Sequence, residues 1–333
     1  MKATLSRLTA LVLRLLFRRR RVPSGKQHSP IIADYEKVGL VWRPYVMRLS
    51  RPNQITPSVK TDDVGFRVSY FKGAVFSFQQ YRSSEDASVL LGNSVAFGVG
   101  ASSDTYCLAS QLAKIGNQPW ICLAGRASNL MQDVLTFVLF GAHQNRDIVL
   151  MSGINDLLFA LTFESASPWL PTFWGEDLFV DLNKRDGPNI VCSDPDMPVE
   201  ERYLIALQGI DRALLLLSRY GRQKQNRILF ALQPLLSWID KPLHQKEKEV
   251  CEEWDLASSG FRATHRPTII RPWRERFSLD IRSICKAHEL DFIDLNQDSA
   301  WLTEEHLFAD RIHLTDRGQL IAAQLIWKRL SAS

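Results

Sequence analysis

From Ser88 onward the chain alternates short apolar runs with longer segments whose apolar residues recur every three to four positions. The runs Ser88-Val89-Leu90-Leu91, Trp120-Ile121-Cys122-Leu123, Asp147-Ile148-Val149-Leu150-Met151, Ile228-Leu229-Phe230-Ala231-Leu232 and Phe292-Ile293-Asp294-Leu295 have the length and residue types of buried strands. Between and after them, segments near 105–115, 129–140, 200–220, 272–288 and 316–330 carry the helical period. Strands that are apolar throughout, alternating with amphipathic helices, belong to a parallel sheet covered on both faces. The predicted fold class is therefore α/β: a three-layer α/β/α sandwich with a mostly parallel five-stranded sheet.

Two stretches interrupt this alternation and read as insertions, one rich in aromatics and proline at about 163–198 and one rich in charge at about 237–267. Ahead of the first strand, residues 30–85 show no sustained period and contain Pro44, Pro52 and Pro57, so they read as an irregular extension packed on the main unit. The expected organisation is a basic segment at 1–29, this extension, and an α/β unit over 86–333. A chain of 333 residues is long for one domain but fits a single enlarged one.

Charge changes the picture at the amino end. The net charge is +5, yet Lys2, Arg7, Arg14, Arg18, Arg19, Arg20, Arg21 and Lys26 contribute +8 before the first acidic residue, Asp34, which leaves −3 for the remainder. The basic balance thus describes a tail, and no helix-turn-helix, zinc-finger or RNA-binding signature accompanies it, so nucleic acid is not an expected partner. The apolar run Leu8–Phe17 is broken by Arg14, lacks a small-residue cleavage site and is too short to span a bilayer. On a helix it would set Leu5, Leu8, Leu11, Val12, Leu15 and Leu16 against Arg7, Arg14 and Arg18. That pattern suits peripheral contact of residues 1–21 with an anionic membrane surface, and the alternative is a solvated basic tail.

The five cysteines, Cys107, Cys122, Cys192, Cys251 and Cys285, are odd in number and form no C-x-x-C pair, which argues against a disulfide framework and a zinc site. Cys107 and Cys122, in apolar runs, read as buried structural thiols. A reducing cytoplasmic location, peripheral at the inner face of a membrane if the tail binds there, is the expectation.

The chemistry-bearing residues fall in the predicted loops. Gly92-Asn93-Ser94 follows the first strand, Gly125-Arg126-Ala127-Ser128 the second and Gly153-Ile154-Asn155-Asp156 the third, while Asp310-Arg311-Ile312-His313 precedes the last helix. Ligands in open α/β sheets sit beyond the carboxyl ends of the strands, where the first three loops lie. Each has an ordinary explanation when taken singly: Ser94 and Gly125 as turn residues, Asn155 as a helix cap, Asp310 and His313 as a surface pair. Together they fill every role of nucleophilic acyl transfer once. Ser94 has a hydroxyl, His313 a base, Asp310 a carboxylate to fix its tautomer, and Ser94, Gly125 and Asn155 hold N–H groups for an oxyanion.

In these four blocks and their order the chain resembles the SGNH/GDSL hydrolase superfamily over roughly Ser88–Leu330. The resemblance implies a flavodoxin-like sheet order, catalytic Ser94, Asp310 and His313, and an oxyanion hole made by Ser94, Gly125 and Asn155, with no cofactor and no metal. One position departs from the pattern, where the usual Gly-Asp-Ser reads Gly92-Asn93-Ser94; this bears on hydrogen bonding beside the serine. No G-x-S-x-G elbow, P-loop, dinucleotide fingerprint or H-E-x-x-H helix competes. His28, His143, His244, His265, His288 and His306 show no ligand spacing and read as surface or structural residues.

The implied activity is hydrolysis of an acyl ester, on a small molecule or a carbohydrate, through an acyl-enzyme on Ser94. Acyl transfer or lipid chemistry at a membrane surface, and a non-catalytic binding protein of the same fold, are the alternatives. Trp169, Trp174, Trp238 and Trp254 in the insertions suit either ring stacking near a site or simple packing.

Overall fold

The structure, a computed structural model, describes residues 30–141, 147–162, 197–223, 226–256 and 260–332. The chain enters it through helix α1 (Pro30–Lys37) and two antiparallel hairpins, β1 (Leu40–Arg43) with β2 (Met47–Ser50) and β3 (Ser69–Phe71) with β4 (Ala74–Phe76). The extension is therefore more regular than its sequence suggests. Strands of three or four residues are too short to establish a period against the prolines around them.

The main sheet follows. Its strands are β5 (Ser88–Gly92), β6 (Trp120–Cys122), β7 (Asp147–Ser152), β8 (Arg227–Leu232) and β9 (Asp291–Asp294), in spatial order β6-β5-β7-β8-β9, every pair parallel. This matches the predicted sheet, each strand end shifting by a residue or so. Val89, Leu90, Leu91, Ile148, Val149 and Leu150 are inaccessible to solvent, so both faces of the sheet are buried as their unbroken apolar runs require.

Helices cover both faces. Between β5 and β6 lie the single turn α2 (Ser94–Phe97) and α3 (Leu108–Gly116), and α4 (Leu130–Phe140) returns the chain to β7. After β7 come α5 (Ile154–Thr162) and the long α6 (Val199–Gln223); α7 (Gln245–Asp255) and α8 (Arg274–Ala287) lie between β8 and β9, and α9 (Asp316–Ser331) closes the chain. One layer holds α3 against α9, and the other packs α4, α5 and α8 on α6. With β6 and β7 on opposite sides of β5, the chain leaves neighbouring strands in opposite directions, and a crevice opens at their carboxyl ends. Within the second predicted insertion lies α7, whereas residues 163–196 of the first, with Trp169 and Trp174, lie outside the described residues. No helix among the described residues is long and apolar enough to cross a membrane.

One buried arginine joins the extension to the sheet. Arg67 forms an isolated bridge with Cys122, shielding the β6 edge, and is fully inaccessible to solvent. Its Nε donates to Asp104 at 2.9 Å, and its terminal nitrogens donate to Tyr35 Oη (2.8 Å), Ser58 O (2.9 Å), Phe97 O (3.1 Å) and Gly98 O (2.8 Å). The Tyr35 hydroxyl in turn donates to Gly98 O and Ala101 O, both at 2.8 Å. The carbonyls at the end of α2 are thereby bonded to a single guanidinium and a single phenol.

An unpaired buried charge is costly, so Arg67→Met is expected to lower stability by about 3–5 kcal/mol by stranding Asp104. Adding Asp104→Asn is expected to recover a large part of that loss in urea denaturation. A double variant no more stable than the single one would show that Arg67 acts through its carbonyl bonds instead.

Candidate active site

Gly92, the last residue of β5, sets the backbone that presents Ser94. Its φ of 135° favours glycine, and a Cβ there would lie 2.0 Å from the carbonyl oxygen of Met151 on β7. The tight turn brings Ser94 to the first position of α2, half-buried at the sheet's carboxyl edge. Asn93 caps this turn, its Oδ1 accepting from Val95 N–H at 3.0 Å. Its Nδ2 donates to Gln233 Oε1 beyond β8, so the amide performs the capping a carboxylate would perform and also bonds the neighbouring loop. The departure at Asn93 therefore keeps the helix cap and places a neutral pair next to Ser94.

The residues from the first and last blocks, 219 positions apart, meet. His313 Nε2 lies 2.9 Å from Ser94 Oγ and His313 Nδ1 lies 2.7 Å from Asp310 Oδ2. Asp310 is buried, and its other oxygen accepts the N–H groups of Ile312 and His313, both at 2.8 Å. Burial by itself would raise this carboxyl. The His313 ring and the two N–H donors outweigh that effect and hold it below its usual range, so it stays ionised. An ionised Asp310 accepts a hydrogen bond from Nδ1–H, which leaves the Nε2 lone pair directed to the serine.

The second and third blocks lie at the same edge. Asn155 is the second residue of α5 and not its cap; it is buried, and its Nδ2 donates to Ser128 O at 2.7 Å. That leaves one amide hydrogen with no acceptor among the described residues. Gly125 departs from expectation: its N–H donates to Gly92 O at 2.8 Å, extending the pairing of β6 with β5 beyond the strand. This N–H is engaged and is not a free oxyanion donor. The N–H groups of Ser94 and Ser128 have no acceptor among the described residues.

Under these loops lies a buried polar layer that the sequence did not reveal. Asp133 accepts from Ser128 Oγ (2.6 Å) and Ser152 Oγ (2.7 Å), tying the loop after β6 to the end of β7. Asp156 accepts the first N–H of α4, that of Leu130, through both oxygens at 3.1 and 3.2 Å. Burial pushes Asp133 up to about 8, against the pull of the two hydroxyls and with help from nearby Asp156. Asp156 is pushed up to about 7 by burial, opposed by its N–H donors. Only the block motif Gly153–Asp156 pointed to one of this pair; Asp133 reads from sequence as an ordinary first-turn helix residue.

A second support was hidden in the charged insertion. Lys241 and Glu247 form an ion pair of 2.5 Å with no exposed side-chain surface. Glu247 Oε1 also accepts the N–H groups of Leu307 (2.9 Å) and Phe308 (3.0 Å), just ahead of Asp310. Trp238 and Trp254 are buried, Trp238 donating to Ile270 O at 2.9 Å, so both pack the insertion. Cys107, Cys122, Cys251 and Cys285 are free and buried, while Cys192 lies outside the described residues. His244 caps α7, His265 is buried, and His288 lies 2.8 Å from Asp211; His28 and His143 lie outside the described residues. No group of three or more His, Cys, Asp or Glu side chains among the described residues is arranged to hold a metal.

No family model and no curated protein matches the chain. Among solved structures it is similar to an acetyl xylan esterase (13% identity, covering 73% of this chain and 98% of that one, TM-score 0.40). It is also similar to a GDSL-like lipase from Bacteroides thetaiotaomicron (12% identity, 76% and 91%, TM-score 0.39). A third is an acetyl xylan esterase from the rumen bacterium Butyrivibrio proteoclasticus (11% identity, 75% and 64%, TM-score 0.42).

The raised carboxyls imply a pH dependence of stability. A group neutral in the fold but ionised when unfolded stabilises fully below its unfolded pKa, and that contribution is lost as pH rises through the folded value. Asp133→Asn is thus expected to change the chemical denaturation midpoint relative to wild type in a pH-dependent way, wild type losing ground up to about 8. A difference constant across that window would show that Asp133 ionises normally in the fold.

Proposed function

We propose that the chain is an SGNH/GDSL-type serine hydrolase that cleaves acyl esters of small molecules or carbohydrates. The observation that carries this reading is the continuous line Ser94 Oγ–His313–Asp310, at 2.9 and 2.7 Å, with a buried, ionised carboxylate at its end.

In this mechanism Ser94 Oγ attacks the ester carbonyl carbon as its proton passes to His313 Nε2, and Asp310 stabilises the resulting imidazolium. The carbonyl oxygen becomes an oxyanion, stabilised by the free amide hydrogen of Asn155 and the N–H of Ser94. With Gly125 N–H bonded to Gly92, the third position is assigned to the N–H of Ser128, the residue whose carbonyl, in the next peptide group, accepts from Asn155. Collapse breaks the C–O bond, and the alcohol leaves with the proton from His313. Water then gives a proton to His313 and attacks the acyl-enzyme, and the acid departs as Ser94 regains its proton.

The neutral Asn93–Gln233 pair fits this chemistry, because it steadies the turn without adding a second negative charge beside the developing oxyanion. The buried acids Asp133 and Asp156 play a positioning part, bonding the loops that present Ser128 and Asn155.

The test is covalent labelling with a fluorophosphonate probe. Wild type is expected to label, Ser94→Ala not at all, and His313→Ala far more slowly. Asn155→Ala, folded normally, is expected to lose about 100- to 1000-fold in kcat on a p-nitrophenyl ester, the usual effect of removing one oxyanion donor. Folded wild type that neither labels nor turns over an ester would exclude the proposal.

A further inference from the structure

The β1–β2 hairpin carries an unusual surface. Trp42 is 44% and Tyr45 75% exposed, and Arg43 and Pro44 between them are exposed as well. Arg48, directly opposite Trp42 in the register, sets its guanidinium 4.6 Å from the Trp42 ring centre. The tip is made of two successive three-residue turns, Val46 N–H to Pro44 O and Arg48 N–H to Val46 O, both at 2.8 Å. These turns hold Tyr45 at φ 67° and Met47 at φ 66°, conformations costly for side-chain-bearing residues. Strain of this kind persists only where the surrounding structure imposes it, and it often accompanies function.

The charge around the hairpin has one sign. From Lys37 to Lys60 the chain contains Arg43, Arg48 and Arg51 and no aspartate or glutamate. Among the described residues Arg43, Arg48, Arg51 and Lys60 form no ion pair, while Ile55 in the following loop is 77% exposed. Residues 40–51 also contain no asparagine, glutamine, aspartate or glutamate, so they lack side-chain amide and carboxylate acceptors for sugar hydroxyls. The chain ahead of α1 adds eight cations without an acid and enters the structure at Pro30, ten residues before β1.

From these observations we infer that the β1–β2 hairpin is a docking surface for an anionic phospholipid bilayer. Exposed Trp and Tyr suit the headgroup boundary, being apolar in body and polar at one end. Unpaired arginines donate to phosphate in fork geometry and are drawn to the negative surface potential. Peripheral attachment generally needs two signals, and the hairpin supplies a folded one beside the basic segment at 1–29. The hairpin's root is joined to the loop after β6: Arg126, next to Gly125, donates to Val38 O, Gly39 O and Ser50 Oγ.

Full-length protein co-sedimented with vesicles of phosphatidylcholine, with and without phosphatidylglycerol, tests this. Wild type is expected to bind only the anionic vesicles and to be released by salt. Arg43→Ala with Arg48→Ala is expected to weaken binding about 25-fold, roughly 5-fold per arginine, with residues 1–29 intact. Trp42→Ser with Tyr45→Ser is expected to weaken it as well. All variants should retain wild-type turnover of a water-soluble ester, a readout independent of the membrane. Unchanged sedimentation of both double variants would overturn the inference. So would equal binding to pure phosphatidylcholine, or a wild type whose hairpin-dependent association is with itself or with a polysaccharide.

Discussion

Parallel pairing of β5 with both β6 and β7 is the constraint from which the rest of the molecule follows. Parallel strands put all their carboxyl ends on one edge, and a strand flanked by its next two successors sends its connections to opposite faces. Gly92 therefore stands opposite Met151, and three loops separated by dozens of residues meet above the sheet. The Ser94 turn fits only because Gly92 has no side chain to strike the Met151 carbonyl. Sheet register and the placement of Ser94 are fixed at the same peptide.

The loops are not held by the sheet alone. Buried polar groups cross-link them: Asn93 to Gln233, Gln233 O to Asn296, Asn155 to Ser128, and Asp133 to two hydroxyls. Buried polar groups that are well satisfied specify one arrangement, since any other strands a donor or acceptor away from water. Behind the last loop, the Lys241–Glu247 pair serves the same purpose from a helix outside the alternating pattern. The site is braced from beneath, which is where positional accuracy in a small polar constellation has to originate.

How far the sequence discloses this depends on the physics of each part. Five strands were readable because burial on both faces demands uninterrupted apolar residues, and the candidate blocks because Gly92, Gly125 and Gly153 follow three of those strands while Asp310 and His313 precede the last helix. The hairpins of the extension were not, since three or four residues cannot display a period. Arg67, Glu247 and Lys241 were hidden for another reason: a long charged side chain in a polar stretch looks solvent-exposed until its partner, far away in sequence, is known. Gly125 is instructive as well. Its position after a strand was correct, but whether its N–H continues the ladder or faces a ligand depends on one peptide orientation that residue identity does not encode.

Arg126 leaves the loop after β6 with an uncommon electrical character. Its guanidinium is partly withdrawn from water, which pulls it down to about 10, and its hydrogen-bond partners are carbonyls and a hydroxyl, with no carboxylate among them. A cation solvated by backbone dipoles keeps its whole charge, and a cation withdrawn from solvent is poorly screened by dissolved ions. The extension thus serves as an internal solvent for a fixed positive charge, and the loop after β6 carries that charge partly sheltered from the ions outside.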